Sequence, residues 1–550
     1  MGASTLDDGI ALYEQPSHAS TPSVQQIVDN PGHDPSSPTP DKQGVSVNSH
    51  IHAHAHGHDS AEHGHHSHVE TRARHRYTIR RPRALQFSYR SQVIHAGDDR
   101  GAPAPFSRSS ISSHLPEDIA KERERLDLFV DLIWVGIIGN LSEVYSSFAF
   151  RPENPDSGLA MGVFILVFLP SWRIWDAMRE FLNNYYMDDV VQRAFIFWIL
   201  VLSVFYGNQL AYLTEDIDGI KAWVISAYLV ILGSFLAIEM IYSIFIVWLR
   251  KVVLFQWLLR GPSFGLWITA INLRGTQAIG PIVAAIIWEY MCPVLLDTRL
   301  ADKFTPIEYR KALDVHHFQS RLVSFFIIIL GEGVLQLVKD GPLGRQLHGT
   351  TGSMVWILLI YYEFSFLYFN RDGSQKFIPA ATHKGRKSLV WVFWHVPLFA
   401  SILTFAASVR FVIQHQPDAP FSSSEGEKGE EIAEDNLPDY FYRAVWTCAT
   451  SLSIIMLSMT VLALLDKSLD EPDKLKVNNR YIRLSMRAVF VVVILCIPIT
   501  PHLNSQLFLG LAAMMLLVVS LWEWNVSLDR GGALIEPKGL SLMLSRELKS

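Results

Sequence analysis

Long apolar runs alternate with short polar segments through most of the chain. From about residue 111 to residue 526 these runs are close to 20 residues long, which is the length an α-helix needs to cross the ~30 Å hydrocarbon core of a bilayer. About twelve runs lie near residues 126–150, 159–177, 191–213, 221–249, 252–270, 276–296, 317–338, 352–370, 388–409, 441–465, 482–499 and 503–524. The pattern predicts an all-α fold, a polytopic transmembrane helix bundle of about twelve spans.

The fifth run, 252–270, is the least regular of the twelve. Arg260, Gly261 and Pro262 interrupt it. Proline removes a backbone donor and bends a helix, so we expect a kinked or re-entrant element here.

The loops predict an orientation in the membrane. With twelve spans, Lys and Arg are much more frequent in the loops on one side of the membrane than in those on the other. The positive-inside rule then predicts that both termini are cytosolic. No basic-then-apolar signal peptide opens the chain, so we expect the first span to act as the targeting signal of a multi-pass protein. Either the plasma membrane or an organelle membrane fits this reading.

Composition supports the membrane assignment. The chain is 49% hydrophobic and 18% charged, whereas a soluble protein carries about 25% charged residues. The cysteines Cys292, Cys448 and Cys496 fall in apolar runs without paired spacing. We therefore expect neither a disulfide framework nor a cysteine metal site.

The chain divides into three regions by composition. Residues 1–110 are rich in Ser, Pro, Gly, His and Asp and bury too little apolar surface to offset ordering, so they predict a disordered cytosolic tail. Residues 111–526 form the predicted transmembrane domain, and 527–550 a cytosolic C-terminal tail.

The N-terminal tail contains a histidine-rich segment and then an arginine-rich segment. Its nine clustered histidines are His50, His52, His54, His56, His58, His63, His65, His66 and His68. Histidines that alternate with small residues can chelate zinc, copper or nickel, and the alternative is a solvated tail with incidental metal affinity. The arginines that follow fit binding to anionic lipid headgroups or a linker that retains topology.

The run from His316 to Val338 carries charges in the middle of apolar sequence. A charge at the bilayer centre costs about 2.5–3.5 kcal/mol or more, so such groups usually pair or function inside a bundle. Arg321 and Glu332 are 11 residues apart and therefore share one helix face. Gly331 and Gly333 flank the acid and leave room for a helix or water.

Other predicted spans also contribute polar residues to the interior of the bundle. Asp127 and Asp131 are i,i+4 neighbours in the first span, and we expect Asp131 to be buried. The full predicted intramembrane polar core is Asp131, His317, Arg321, Glu332, Glu363 and His395. Acids, histidines and one arginine suit a proton relay or a cation path, and they equally suit a structural network that fixes helix packing.

Further charges near the span ends have simpler interpretations. Arg173, Asp176 and Arg179 are spaced by three and can form a ladder on one face. Glu523 lies between two tryptophans, so we expect it at the interface.

Enzyme motifs are not visible in the chain. Nothing resembles a nucleotide-binding loop, a nucleophile elbow or the HExxH zinc motif. We expect no enzyme, no cofactor and no nucleic-acid partner.

Two stretches carry a family resemblance. The opening LDLFVDLIWVGIIGNLS and the central HHFQSRLVSFFIIILGEGVLQLV resemble the first two landmarks of the low temperature requirement A (LtrA) family. LYF at Leu367–Phe369 and HVPL at His395–Leu398 resemble the third and fourth. The resemblance covers about residues 122–525, with Ser320 in place of the family's usual Glu and Val130 in place of a Phe.

The resemblance implies a multi-span membrane protein linked by name to growth in the cold, without a solute or a reaction. The histidine-rich tail and an acidic loop near 414–440 are what a fungal-type member adds. A shorter likeness, Arg125-x-x-x-Phe129-x-Asp131, is similar to the first-helix signature of a family of organellar and bacterial potassium channels, with Val130 in place of Ser.

We therefore expect ion or proton-coupled transport, or ion conduction, through a polar core. Glu332 is the expected gating or proton-carrying acid, Arg321 its electrostatic partner and Asp131 a second acid. The alternative is a non-transporting sensor or adaptor for low-temperature growth, with a tail that binds metal or lipid.

Overall fold

A computed structural model describes most of the predicted transmembrane domain. The described residues are 117–150, 157–187, 189–247, 249–296, 315–339, 341, 349–374, 377–378, 380, 386–415, 439–470, 475–499 and 504–528. The predicted N-terminal tail with its histidine and arginine segments, most of the acidic loop and nearly all of the predicted C-terminal tail lie outside these residues.

Helices make up almost all of the described chain. In order they are α1 (Glu117–Ala149), α2 (Ser157–Tyr185), α3 (Val190–Tyr212), α4 (Ile217–Phe245), α5 (Leu249–Asn272), α6 (Ile279–Leu296), α7 (Val315–Val338), α8 (Gly349–Asn370), α9 (Arg386–Gln414), α10 (Asp439–Leu465), α11 (Arg480–Arg483), α12 (Ser485–Cys496) and α13 (Ser505–Val526). Short 3₁₀ turns, Gly275–Ala278 and Ile497–Ile499, precede α6 and follow α12.

The predicted all-α membrane bundle is confirmed. Within the described residues, eleven helices are long and apolar enough to cross a membrane by length and composition. Residues 252–270, the irregular fifth run, belong to α5, which continues through Pro262 as one helix. That helix is not among the eleven, and Arg250, Lys251 and Arg260 all lie within it.

Helix α9 organises the packing of the bundle. It contacts α1, α2, α7 and α10, while α4, α5 and α6 pack side by side next to α3 and α2. Large apolar side chains such as Phe197 and Leu258 point outwards. An apolar exterior around a bundle with buried polar groups is what a lipid environment requires.

A short two-stranded antiparallel sheet ties two loops together at one end of the bundle. Strand β1 (Phe377–Ile378) follows α8 and pairs antiparallel with β2 (Lys467–Ser468), which follows α10. Arg371, just after α8, has a positive φ of 56°, a conformation that is strained for a non-glycine residue. Its side chain forms an ion pair with Asp466, and burial raises the pKa of that carboxyl group.

A buried ion pair joins α12 and α13 at this same end. Arg487 donates to both carboxylate oxygens of Glu523, with Nη2–Oε2 at 2.9 Å, and its Nη2 also donates to the Arg371 carbonyl oxygen at 2.7 Å. Arg487 and Glu523 are 0% and 2% exposed. Glu523 is three residues from the end of α13, and an arginine from the neighbouring helix holds its carboxylate inside the bundle.

Replacing Arg487 with Met should destabilise the protein strongly. The substitution leaves the Glu523 carboxylate buried without its cation, a loss of about 3–5 kcal/mol for buried pairs. Thermal unfolding in detergent measures the effect, and the double variant R487M/E523M should recover part of it. Lys339→Met, which breaks the exposed pair with Glu143, is the control and should change little. Equal melting temperatures for all variants would contradict this role.

Candidate functional site

Helices α1 and α7 run parallel and contact each other along the bundle, and we call this contact the α1–α7 seam. At one end Asp127 of α1 bonds to His317 of α7. Further along, a methyl group placed on Gly139 of α1 would lie 3.4 Å from Glu332 Oε2 of α7. Both helices therefore advance in the same direction, and their polar residues meet in register.

The first polar group on the seam is the acid–arginine cluster, which comprises Asp127, Asp131, His317 and Arg321. Arg321 Nη1 donates to Asp131 Oδ2 at 2.7 Å, and Arg321 Nε lies 3.8 Å from Asp127 Oδ1. His317 Nε2 lies 2.7 Å from Asp127 Oδ2. Trp175 of α2 donates its indole N–H to Asp131 Oδ1 at 3.2 Å. All four cluster residues are at most 4% exposed.

The charges of this cluster balance when His317 is protonated. Two carboxylates, Asp127 and Asp131, then face two cations, His317 and Arg321. With a neutral His317 the same cluster carries one net negative charge. Because an uncompensated buried charge is costly, the cluster is suited to exchange one proton or cation.

The second polar group on the seam is the glutamate cluster, made of Glu332, Gln336, Tyr361 and Arg410. Gln336 Nε2 donates to Glu332 Oε1, and Arg410 Nη1 donates to Gln336 Oε1 at 2.8 Å. Glu332 is 1% exposed. Its second oxygen, Oε2, has no hydrogen-bond partner among the described residues, and neither do the buried hydroxyl groups of Ser142 and Tyr361.

The expected pairing of Arg321 with Glu332 is wrong. The two side chains do share a helix face, but 11 residues separate them by about 16 Å along the axis. Arg321 instead pairs across the seam with Asp131. Spacing within one helix determines the shared face, whereas the partner of each charge comes from the helix opposite.

Aromatic side chains fill the space between the two clusters. We call Trp134, Trp172, Trp175, Phe325 and Phe399 the aromatic layer. The Phe325 ring is 4.5 Å from the Trp175 ring and 5.4 Å from the Phe399 ring, centroid to centroid. All five residues are at most 4% exposed.

His395 and Glu363 of the predicted core lie outside both clusters. His395 Nδ1 lies 2.8 Å from the Trp391 carbonyl oxygen of its own helix, and Nε2 lies 3.3 Å from the Tyr368 hydroxyl. Glu363 is buried on α8. Within the described chain, no hydrogen bond or ion pair connects either residue to Asp131, Arg321 or Glu332. Sequence reasoning thus grouped six residues that the fold divides among separate places.

Asp127 is a member of the site that the predicted core omitted. Its i,i+4 spacing from Asp131 was the available signal, because that spacing places both acids on the face that meets His317 and Arg321. The sequence did not reveal that Asp127 is also buried, at 3% exposed.

Two other acids in the bundle, Asp176 and Glu289, have donors on both carboxylate oxygens. The predicted ladder on α2 forms, with Asp176 between Arg173 and Arg179 at 2.7 and 2.5 Å. On α6, Glu289 accepts hydrogen bonds from Tyr228 and Ser263 and also from the Trp267 indole. These acids have donors on both oxygens, which distinguishes them from Glu332.

Metal ligands are not grouped in the described part of the chain. No set of three or more His, Cys, Asp or Glu side chains there is placed to hold a metal ion. The nine histidines of the predicted tail lie outside it, so metal binding by the tail stays a prediction.

One comparison decides the family. A family model described as bacterial low temperature requirement A protein (LtrA) matches residues 124–521, from α1 to α13. The chain belongs to the LtrA family. No curated protein and no solved structure matches it. Both seam clusters lie within the LtrA match.

Glycines on either side of Glu332 provide a test of this geometry. A methyl group on Gly333 would lie 2.2 Å from Cζ of the buried Tyr361 ring, whereas a methyl group on Gly331 meets nothing within 4 Å. Gly333→Ala should therefore cost about 1–3 kcal/mol through overpacking. Gly331→Ala should be neutral or slightly stabilising, because alanine favours the helix. Thermal unfolding in detergent measures both, and equal stability of the two variants would contradict the described packing.

Proposed function

We propose that this LtrA protein is a non-enzymatic membrane transporter or channel that moves protons or another ion along the α1–α7 seam. The path passes through two polar sites, the acid–arginine cluster and the glutamate cluster. Glu332 is the proton-carrying or gating acid, and Asp131 is a second acid further along the same seam. Arg321 holds Asp131 rather than Glu332.

The unpartnered oxygen of Glu332 is the observation that carries this proposal. Buried polar atoms almost always have hydrogen-bond partners, and an exception requires an explanation. Glu332 Oε2 has none among the described residues, although the side chain is 1% exposed. A carboxylate that keeps one oxygen free inside a membrane protein can accept a proton or a cation there, and protonation removes the cost of burying its charge.

The surroundings of Glu332 supply further support. Gly139 leaves space beside the carboxylate, and the chain Glu332–Gln336–Arg410 leads from the buried acid towards the end of α9. At that end of the seam Lys339 and Glu143 form an exposed pair. Polar groups therefore extend from the glutamate cluster to one surface of the bundle.

The remaining parts of the proposal concern regions beyond the described residues. We propose cytosolic termini from the distribution of Lys and Arg in the loops. We propose a fungal-type LtrA member whose histidine-rich tail binds zinc or a similar divalent metal. Both rest on sequence alone and can be tested separately from transport.

Ion flux into liposomes tests the proposed function. Purified full-length protein is reconstituted, and flux of protons, potassium, sodium and zinc is measured under imposed gradients. We expect Glu332→Gln to abolish the flux of the transported ion, because the amide carries no charge and cannot exchange a proton. Glu215→Gln is the matched control, since that acid is exposed in the loop after α3 and lies off the seam, and it should keep wild-type flux.

Two outcomes would contradict the proposal. One is the absence of flux for every ion in the wild-type protein under gradients of either sign. The other is equal flux in the Glu332→Gln and Glu215→Gln variants. Either result would leave the buried charges as structural groups and favour a sensor or adaptor.

A further inference from the structure

The aromatic layer lies directly on the line between the two polar clusters. Phe325 is four residues after Arg321 and seven before Glu332, so it lies within about 40° of the first and about 20° of the second around the helix. Along the axis these separations are about 6 Å and about 10 Å. The same face of α7 therefore presents a charge, an aromatic ring and then a second charge.

Rings from three other helices close around Phe325. Its ring centroid is 6.5 Å from that of Trp134 of α1, 5.6 Å from Trp172 and 4.5 Å from Trp175 of α2, and 5.4 Å from Phe399 of α9. Most of these contacts are edge-on or tilted, which is the favourable geometry for aromatic pairs. Phe325 is the central ring because it contacts all four others.

A packed apolar layer between two polar clusters is the kind of structure that blocks ions. Hydrophobic constrictions block ions because they exclude water, and an ion without its hydration shell meets a high barrier. The layer also contacts the acid–arginine cluster, since Trp175 donates to Asp131 Oδ1. A change in the charge or position of Asp131 therefore acts directly on one ring of the layer.

We propose that the aromatic layer is the closed gate of the α1–α7 seam, with Phe325 as its central ring. The inference rests on the proposed transport function and adds the barrier that prevents a leak between the clusters. The transported ion passes only when these rings separate, and the Trp175–Asp131 hydrogen bond couples that separation to the state of the acid–arginine cluster.

Phe325→Ala tests the gate in liposomes that hold the full-length protein. Dissipation of an imposed pH gradient is followed with an entrapped pH-sensitive dye, and potassium leak is measured in parallel. Removing the central ring should speed passive dissipation about tenfold, which corresponds to a barrier lower by about 1.4 kcal/mol. Trp134→Ala removes a different ring of the layer and should also leak, so the test does not depend on one variant folding.

Phe326→Ala is the matched control. Phe326 is the next residue on α7, is equally buried, and stacks on Tyr368 of α8 with centroids 3.9 Å apart. Its loss creates a cavity of the same kind on the side of α7 that faces α8, where it meets the layer only through Phe399 at 6.4 Å, so passive dissipation should stay near the wild-type rate. Thermal unfolding in detergent verifies that the compared proteins are folded.

The double variant F325A/E332Q locates the leak. A leak that disappears when Glu332 is neutralised runs along the seam and supports the gate, even if the wild-type protein carries no gradient-driven flux and the proposed function fails. A leak that persists in the double variant reflects general damage and overturns the gate. Folded Phe325→Ala and Trp134→Ala proteins that leak no more than Phe326→Ala also overturn it, while wild-type flux can still uphold transport.

Discussion

The pairing of Asp131 with Arg321 inside the bundle is the interaction on which the rest of the site depends. Either charge alone in the hydrocarbon region would cost about 2.5–3.5 kcal/mol or more. The two meet at 2.7 Å only because α1 and α7 run parallel and in register. The same register aligns Asp127 with His317 and brings Gly139 to Glu332. The register that forms this ion pair therefore also aligns the other polar residues of the seam.

Three buried glutamates, Glu289, Glu523 and Glu332, differ in their hydrogen bonding. Glu289 and Glu523 receive donors on both oxygens, and each joins neighbouring helices at a fixed position. Glu332 receives one donor, and its other oxygen is unpartnered within the described part of the chain. Saturated carboxylates suit a structural role, since breaking their contacts is costly. The contrast within one bundle is the physical reason to assign ion handling to Glu332.

The fold followed from the sequence more completely than the site did. Apolar runs of about 20 residues predicted the bundle, because few backbone structures other than the α-helix can cross a bilayer. Helical periodicity also placed Arg321 and Glu332 correctly on one face. It could not give the partner of Arg321, because that depends on which residue of α1 lies opposite.

The same limit applies to other polar residues. His395 lies near a proline, and its ring nitrogens contact its own helix and Tyr368 rather than Asp131 or Glu332. Tryptophans flank Glu523, and its partner Arg487 comes from the neighbouring helix. For both residues the folded structure determines the hydrogen-bond or ion-pair partner, and composition and spacing do not reveal it. The aromatic layer was missed because buried aromatics have no pattern that separates a gate from an ordinary core.

The proposal that the closed aromatic layer leaves the glutamate cluster open to one end of the seam only is tested most directly by thiol labelling at Gln336. Gln336→Cys, in a protein whose native cysteines are replaced, places a thiol one turn from Glu332 at a position that is 4% exposed. A cysteine at the exposed Lys339 marks the side at which α7 ends. We expect a membrane-impermeant reagent to modify Cys at position 336 from that side and not from the other. Modification from neither side, or equally from both, would contradict it.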